Sequence, residues 1–217
     1  ITTNQRLPAN DNIYTIRETA ENEIWLGTYG KGVVIVNGLT LEAKRLLSDP
    51  SRSTSLADNS IWSIFRDRSG LVWVGSQRGI SLHDPSASAF FTLYGSENQT
   101  QGIVGIDFFS AQGLSDGSVW IGSQNHGISI LRPGADRFQF LLADDSQPKT
   151  ALPQSAIFMI FQSRTGAIYI GTDKGLYRSD RSGTSVQKQN LTPRNPAMRV
   201  AAMLEVSNKL LIGGPEG

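Results

Sequence analysis

The residues best equipped to meet a ligand sit in short turns that follow an aromatic residue and a glycine. They are Tyr29 and Lys31, then Gln77 and Arg78, then Gln124, Asn125 and His126, then Asp173 and Lys174. Asn59, Ser60 and Gln154 stand just ahead of strand-like runs. Long side chains with hydrogen-bonding heads, together with one aromatic ring, suit a polar ligand such as a sugar. The plainer reading weighs more: turns are polar for local reasons, and solubility and turn geometry account for these residues without a ligand.

Catalytic and metal chemistry find less to work with. Zinc wants three or four convergent ligands, whereas His83 and His126 lie far apart, with no H-E-x-x-H pattern. Both read as ordinary surface histidines. Candidate carboxylates are Asp67, Asp107, Asp116, Asp173 and Glu205. A glycosidase needs two at a set separation, and the sequence identifies no such pair. Asp67 and Asp116 read better as turn formers whose side chains bond to nearby backbone. No G-x-S-x-G nucleophile elbow occurs. The stretch GTYGKG at 27–32 lacks the phosphate-loop spacing and joins two strands instead of opening a helix. The expectation is a non-catalytic chain with no metal and no cofactor.

The totals agree with a folded recognition module. The chain has 217 residues, 39% hydrophobic and 18% charged, with formal net charge +1. That balance, with no Lys/Arg run, argues against nucleic acid as a partner. There is no cysteine, so disulfide frameworks and thiolate metal sites are excluded while the compartment stays open. No stretch approaches the roughly 18 apolar residues of a membrane helix.

The positioning elements are visible as an internal repeat. IWLGTYGKGV (24–33), VWVGSQRGI (72–80), VWIGSQNHGI (119–128), IYIGTDKGL (168–176) and LLIGGPEG (210–217) align on Gly27, Gly75, Gly122, Gly171 and Gly213. Their spacings are 48, 47, 49 and 42 residues, a period that means stacked or radially arranged units. Each copy has a strand-like run upstream and a tight turn before the aromatic strand. A second turn and a third strand such as VVIV or ISIL follow it, then a weaker fourth such as AKRLL or FQFLL.

Four antiparallel strands per unit describe a β-propeller blade. The expected fold is all-β, with about four and a half four-stranded blades in an incomplete ring. The blades fall at about 13–46, 61–94, 103–142 and 157–190, with a half blade at 198–217, in one partial domain spanning 1–217. Trp25, Trp73, Trp120 and Tyr169 share one position and read as wedges between blades. The first glycine leaves room where backbones approach, and the second, as in Gly79 or Gly175, permits the turn. The third copy is expected to have a longer first hairpin, and ITTNQRLPANDN reads as a linker. Propeller geometry sends the loop leading into the first strand and the turn between the second and third strands to the same end. The polar residues named first therefore gather at one channel mouth.

The stretch SLADNSIWSIFRDRSGLVWVGSQRGISLHDP (55–85) resembles the two-component regulator propeller repeat of bacterial hybrid histidine kinases and related signalling proteins. The resemblance rests on Asn59, Ser60, Asp67, Gly70, Val72-Trp73-Val74-Gly75 and Gly79. ALPQSAIFMIFQSRTGAIYIGTDKGLYRSD (151–180) repeats it closely, and 7–33 does so with Asn22 in the turn. The resemblance implies a periplasmic sensor fragment that is itself non-catalytic, reaching the membrane only through a segment downstream. It also implies about fourteen repeats in the intact protein. Expected partners are a carbohydrate or other polar ligand, and a second copy through open blade edges. The alternatives are a protein-interaction scaffold without a small ligand and, further off, a propeller lyase.

Overall fold

The structure, a computed structural model, describes residues 2–5, 11–52, 54–87, 89–96, 102–147, 150–191, 198–207 and 209–215. Every regular element is a strand: β1 (Thr2–Gln5), β2 (Ile13–Ala20), β3 (Glu23–Thr28), β4 (Val33–Asn37), β5 (Ala43–Leu46), β6 (Ile61–Arg66), β7 (Val72–Ser76), β8 (Gly79–Asp84), β9 (Ala89–Ser96), β10 (Ile103–Val104), β11 (Phe108–Gly113), β12 (Val119–Ser123), β13 (Gly127–Leu131), β14 (Phe138–Leu142), β15 (Ile157–Gln162), β16 (Ile168–Thr172), β17 (Gly175–Ser179), β18 (Val186–Gln189), β19 (Ala202–Val206) and β20 (Lys209–Gly213). The expected strand segments of each copy are all present. The chain divides into two compact units, Ile1–Gly95 with Ile106–Ala111, and Ser96–Gly105 with Gln112–Gly217.

Unit 1 holds two sheets in which consecutive strands pair antiparallel, β2 through β5 and β6 through β9. Thr2–Gln5 is not a linker but a fifth strand of the first sheet, antiparallel to β5, because an outer strand offers an unpaired backbone edge that the N-terminal segment fills. Unit 2 holds the sheet β15 to β18 and the hairpin β19–β20, together with the strands β12 to β14. The unit boundary falls inside β11, which leads that last sheet.

The wedges behave as their spacing predicts. Trp25 is fully buried with Val33 and Ile35 of its own sheet, Ile61, Ile64, Val72 and Val74 of the next, and Leu56 of the loop leading into it. Trp120 is fully buried among Ile128, Ile130 and Leu141 on one side and Ile157, Ile160, Ile168, Ile170 and Tyr177 on the other. Each blade is apolar on both faces because a neighbour covers it, so these strands do not alternate cleanly. The buried indole N–H groups still need acceptors, and a residue just ahead in the chain supplies a different one each time: Glu23 Oε1 at the start of β3 for Trp25 at 2.8 Å, and from the preceding turns Asp67 Oδ2 for Trp73 at 2.8 Å and Ser118 Oγ for Trp120 at 3.0 Å. Tyr169 is only half-buried, beside Leu210 and Ile212 of the last hairpin.

The turns obey one pattern. Asp67–Leu71, Leu114–Ser118 and Ser163–Ala167 each close with an N–H to C=O bond of 2.8–2.9 Å. The third hairpin is therefore as long as those of the second and fourth copies, and longer only than the tight Glu21–Asn22 turn of the first; its aspartate has moved inside the turn, to Asp116, and obscured the alignment. Asp67 Oδ1 accepts from the amides of Ser69 and Leu71, and Asp116 Oδ1 from the amide and hydroxyl of Ser118. After the first glycine a buried hydroxyl locks the second turn: Thr28, Ser76, Ser123 and Thr172 donate to the carbonyls of Gly32, Gly79, Gly127 and Gly175 at 2.7–3.0 Å. Gly175 has φ +117° and is a turn glycine. Gly79 lacks a positive φ; a Cβ there would strike the Leu93 carbonyl, so close backbone approach is its reason. The first glycines also admit close neighbours, with Ile61 at Gly27, the Phe108 carbonyl at Gly75 and Val200 at Gly171.

Candidate functional site

Backbone hydrogen bonds tie the leading loops to the turns that follow the aromatic strands. In unit 1 the amide of Tyr29 reaches the Asn12 carbonyl at 3.0 Å, Gly32 reaches Asn59 at 2.8 Å, and Gln77 reaches Ser60 at 3.1 Å. In unit 2 the amide of Asn125 reaches the Ser155 carbonyl at 3.0 Å. Within each unit the leading loops and these turns therefore share one end of their sheets.

Several candidate side chains are committed there. The carboxylate of Asp11, almost wholly buried, pairs with Lys31 at 2.6 Å and Arg45 at 2.6 Å. Burial works against its charge, but the hydrogen bonds and positive charges of Lys31 and Arg45 outweigh that and lower its pKa. Asn59 Oδ1 accepts the Ser48 amide at 2.8 Å, a positioning bond between loops. Gln77 is exposed, and Arg78 is exposed with Nε 3.5 Å from Asp58 Oδ2. In unit 2, Asn125 is exposed in the left-handed conformation at φ 62°. The half-buried ring of His126 has Nδ1 2.7 Å from the Gln124 carbonyl. Gln154, Asp173 and Lys174 are exposed; the amide of Gln154 bonds Asp145 Oδ1 and that of Lys174 bonds Thr172 Oγ1.

His83 is not a surface histidine. Its ring stacks on Phe90 at 4.6 Å and lies 5.4 Å from Trp25, because β8 turns it toward the wedge of the preceding sheet. Among the described residues no group of three or more His, Cys, Asp or Glu converges as a metal site. At the end of the first sheet that carries the Glu21–Asn22 turn, a concavity of about 330 Å³ includes Glu21, Glu23, Glu42 and Lys44. Glu23 there is already taken by Thr19 and Trp25.

The sequence reading passed over a second aromatic register. Thirteen residues before Gly27, Gly75, Gly122 and Gly171 stand Tyr14, Trp62, Phe109 and Phe158. Three of them sit at register shifts near the start of their strands, between Ile13 and Thr15, Ile61 and Ser63, and Ile157 and Met159. Such a bulge re-aims a side chain. In unit 1 these rings meet Tyr29: Tyr14–Trp62 is edge-on at 5.2 Å, Tyr29–Trp62 is 5.7 Å, Tyr14–Tyr29 is 6.0 Å and Trp62–Phe109 is 5.3 Å. Tyr14 and Tyr29 are more than half exposed, at 57% and 52%. Trp62 Nε1 and Asp107 Oδ1 are buried atoms without a hydrogen-bond partner among the described residues. Burial, and then the charge of Asp58, push the Asp107 carboxyl above its ordinary pKa. The signal was present in the repeat alignment, as an aromatic column within the first strands.

The chain matches the family described as two component regulator propeller at residues 7–30 and 55–78. Over 70 residues it is 30% identical to histidine kinase P4 of Formosa agariphila, a match covering 32% of this chain and 5% of the kinase. Among solved structures, the extracellular domain of the hybrid two component system BT3049 from B. thetaiotaomicron superposes with a TM-score of 0.77 at 20% identity, over 97% of this chain and 27% of that one. The extracellular domain of the one component system BT4673 from the same organism gives 0.73 at 20% identity, over 96% and 27%. The chain thus spans about a quarter of the length of those structures, and at such identities the likeness concerns the fold. Blade-type sheets repeated in register, and the match on two of the copies, make residues 7–30 and 55–78 similar to the two-component regulator propeller repeat.

Proposed function

We propose that the chain is a periplasmic, ligand-recognising propeller segment of a two-component or related transmembrane signalling receptor, and that it binds without turnover. The carrying observation is the family match at 7–30 and 55–78. In support, the structural relatives are extracellular domains of two-component and one-component systems. The loops present exposed polar heads, Gln77 and Arg78 in unit 1 and Asn125, Gln154, Asp173 and Lys174 in unit 2, and within each unit this chemistry suits the hydroxyls of a saccharide. Signalling then follows from differential affinity: a ligand biases the receptor only as far as it prefers one arrangement over another.

A second reading, recognition of a protein partner or of another copy, has one observation in its favour. The last hairpin exposes Leu204, Val206 and Leu211, and Leu211 occupies the repeat position that the tryptophan wedges fill elsewhere. Calorimetry against a panel of neutral and acidic oligosaccharides, with light scattering on the same samples, separates the two. Saturable saccharide binding by a monomer supports the first. Concentration-dependent association with no saccharide response refutes it in favour of the second.

A further inference from the structure

The aromatic register is treated differently in the two units. In unit 2 the ring of Phe158 carries the Arg199 guanidinium over its face, 4.8 Å from the centroid. In unit 1 the equivalent rings Tyr14 and Trp62, joined by Tyr29, carry no cation over their faces among the described residues. An aromatic face is the negative pole of the ring quadrupole and attracts cations, tryptophan most strongly. The charges in the adjoining segments lean the same way. Asp58 precedes β6 by three residues and Asp107 stands two before Phe109. Against these two carboxylates the structure sets Arg78, whose largely exposed side chain approaches Asp58 only at 3.5 Å. Lys31 is drawn instead to Asp11.

We propose that the Tyr14–Tyr29–Trp62 cluster of unit 1, with Asp58 and Asp107 just ahead of the strands that carry Trp62 and Phe109, is a binding site for an organic cation, an alkylammonium or guanidinium group. In unit 2 the chain supplies this group itself through Arg199; in unit 1 the ligand brings it. The site goes beyond the hydroxyl recognition proposed for the turns and is tested without reference to signalling. A cationic group on a larger polar ligand would engage these rings while the turns hold the remainder.

The test is fluorescence titration of the whole chain. Trp25, Trp73 and Trp120 are buried and Trp62 is half-buried, so a ligand-dependent change reports chiefly on Trp62, and it should be absent in Trp62→Phe. The probes are choline and agmatine, with 3,3-dimethylbutan-1-ol as the uncharged isostere of choline, and glucose. The expected result is saturable quenching by choline or agmatine, with the uncharged isostere at least about fivefold weaker. Tyr14→Leu, a change at an exposed ring, should weaken the cation about fivefold while leaving the circular dichroism spectrum unchanged. Asp107→Asn should weaken the cations and leave the isostere unaffected. Equal binding of the isostere, or full affinity in a folded Tyr14→Leu protein, overturns the proposal. So does the absence of any saturable response to both cations. Glucose binding alone would sink the cation site and leave the saccharide reading standing.

Discussion

Replacing Trp120 by alanine removes the wedge between the sheets β12–β14 and β15–β18. Its ring has no solvent exposure. It packs so closely against the neighbouring turn that a Cβ added to Gly183 would lie 3.0 Å from the indole. Truncation leaves a void on the order of 100 Å³ if the surroundings hold, costing about 2.4 kcal/mol at ~24 cal/mol per Å³. The lost transfer free energy of the ring adds to this, for a total of about 3–5 kcal/mol. Trp120→Phe keeps most of the filling and loses the bond to Ser118 Oγ, so it should cost only about 1–2 kcal/mol. The assay is urea denaturation together with amide hydrogen exchange resolved on β12, β13, β15 and β16. With a urea slope of about 2 kcal/mol per M, the alanine variant's midpoint should fall by about 2 M. Exchange should rise first in those four strands. An alanine variant within about 1 kcal/mol of the parent, or a phenylalanine variant as damaged as the alanine one, refutes the wedge argument.

Two further outcomes follow from the glycines and the turns. Gly79→Ala drives a Cβ onto the Leu93 carbonyl and should cost about 1–3 kcal/mol in a thermal melt, while Gly213→Ala, whose nearest contact is Ala202 at 3.7 Å, should be near neutral. At Asp180 burial opposes ionisation, but hydrogen bonds from the Thr184 side chain and amide, Ser185 and Ser182 outweigh it and lower the pKa to about 2. Because the folded value lies below the unfolded one, this carboxylate stabilises the fold above about pH 4 and ceases to as pH falls towards 2. Urea midpoints at pH 5 and pH 2.5 should differ less in Asp180→Asn than in the parent.

Much of this protein was legible in one dimension, because each blade is a local unit and its neighbours are its sequence neighbours. The column of Trp25, Trp73 and Trp120 requires a bulky buried ring at a fixed place, and the glycine two residues later requires room for a neighbouring backbone. Both demands are met within about fifty residues of chain, so periodicity alone exposes them. Alignment failed where chemistry was conserved and position was not: the indole acceptor comes from Glu23, Asp67 or Ser118, and the shift of the turn aspartate to Asp116 made a hairpin of the same length as those of the second and fourth copies look longer than them.

What only the tertiary structure decided concerns exposure and pairing across strands. Trp62 and Trp73 are the same residue type eleven positions apart; one is a wedge, and the other, at a bulge, faces Tyr14, Tyr29 and Phe109. Lys31 and Asn59 look like free ligand-binding heads in sequence, yet Asp11 and the Ser48 amide already hold them. His83 looks like a surface residue until β8 stacks it on Phe90. A sequence states which groups a chain owns. Whether a group is left over for a ligand depends on which partners the packing brings within hydrogen-bonding distance, and for these residues the partners come from other strands and loops.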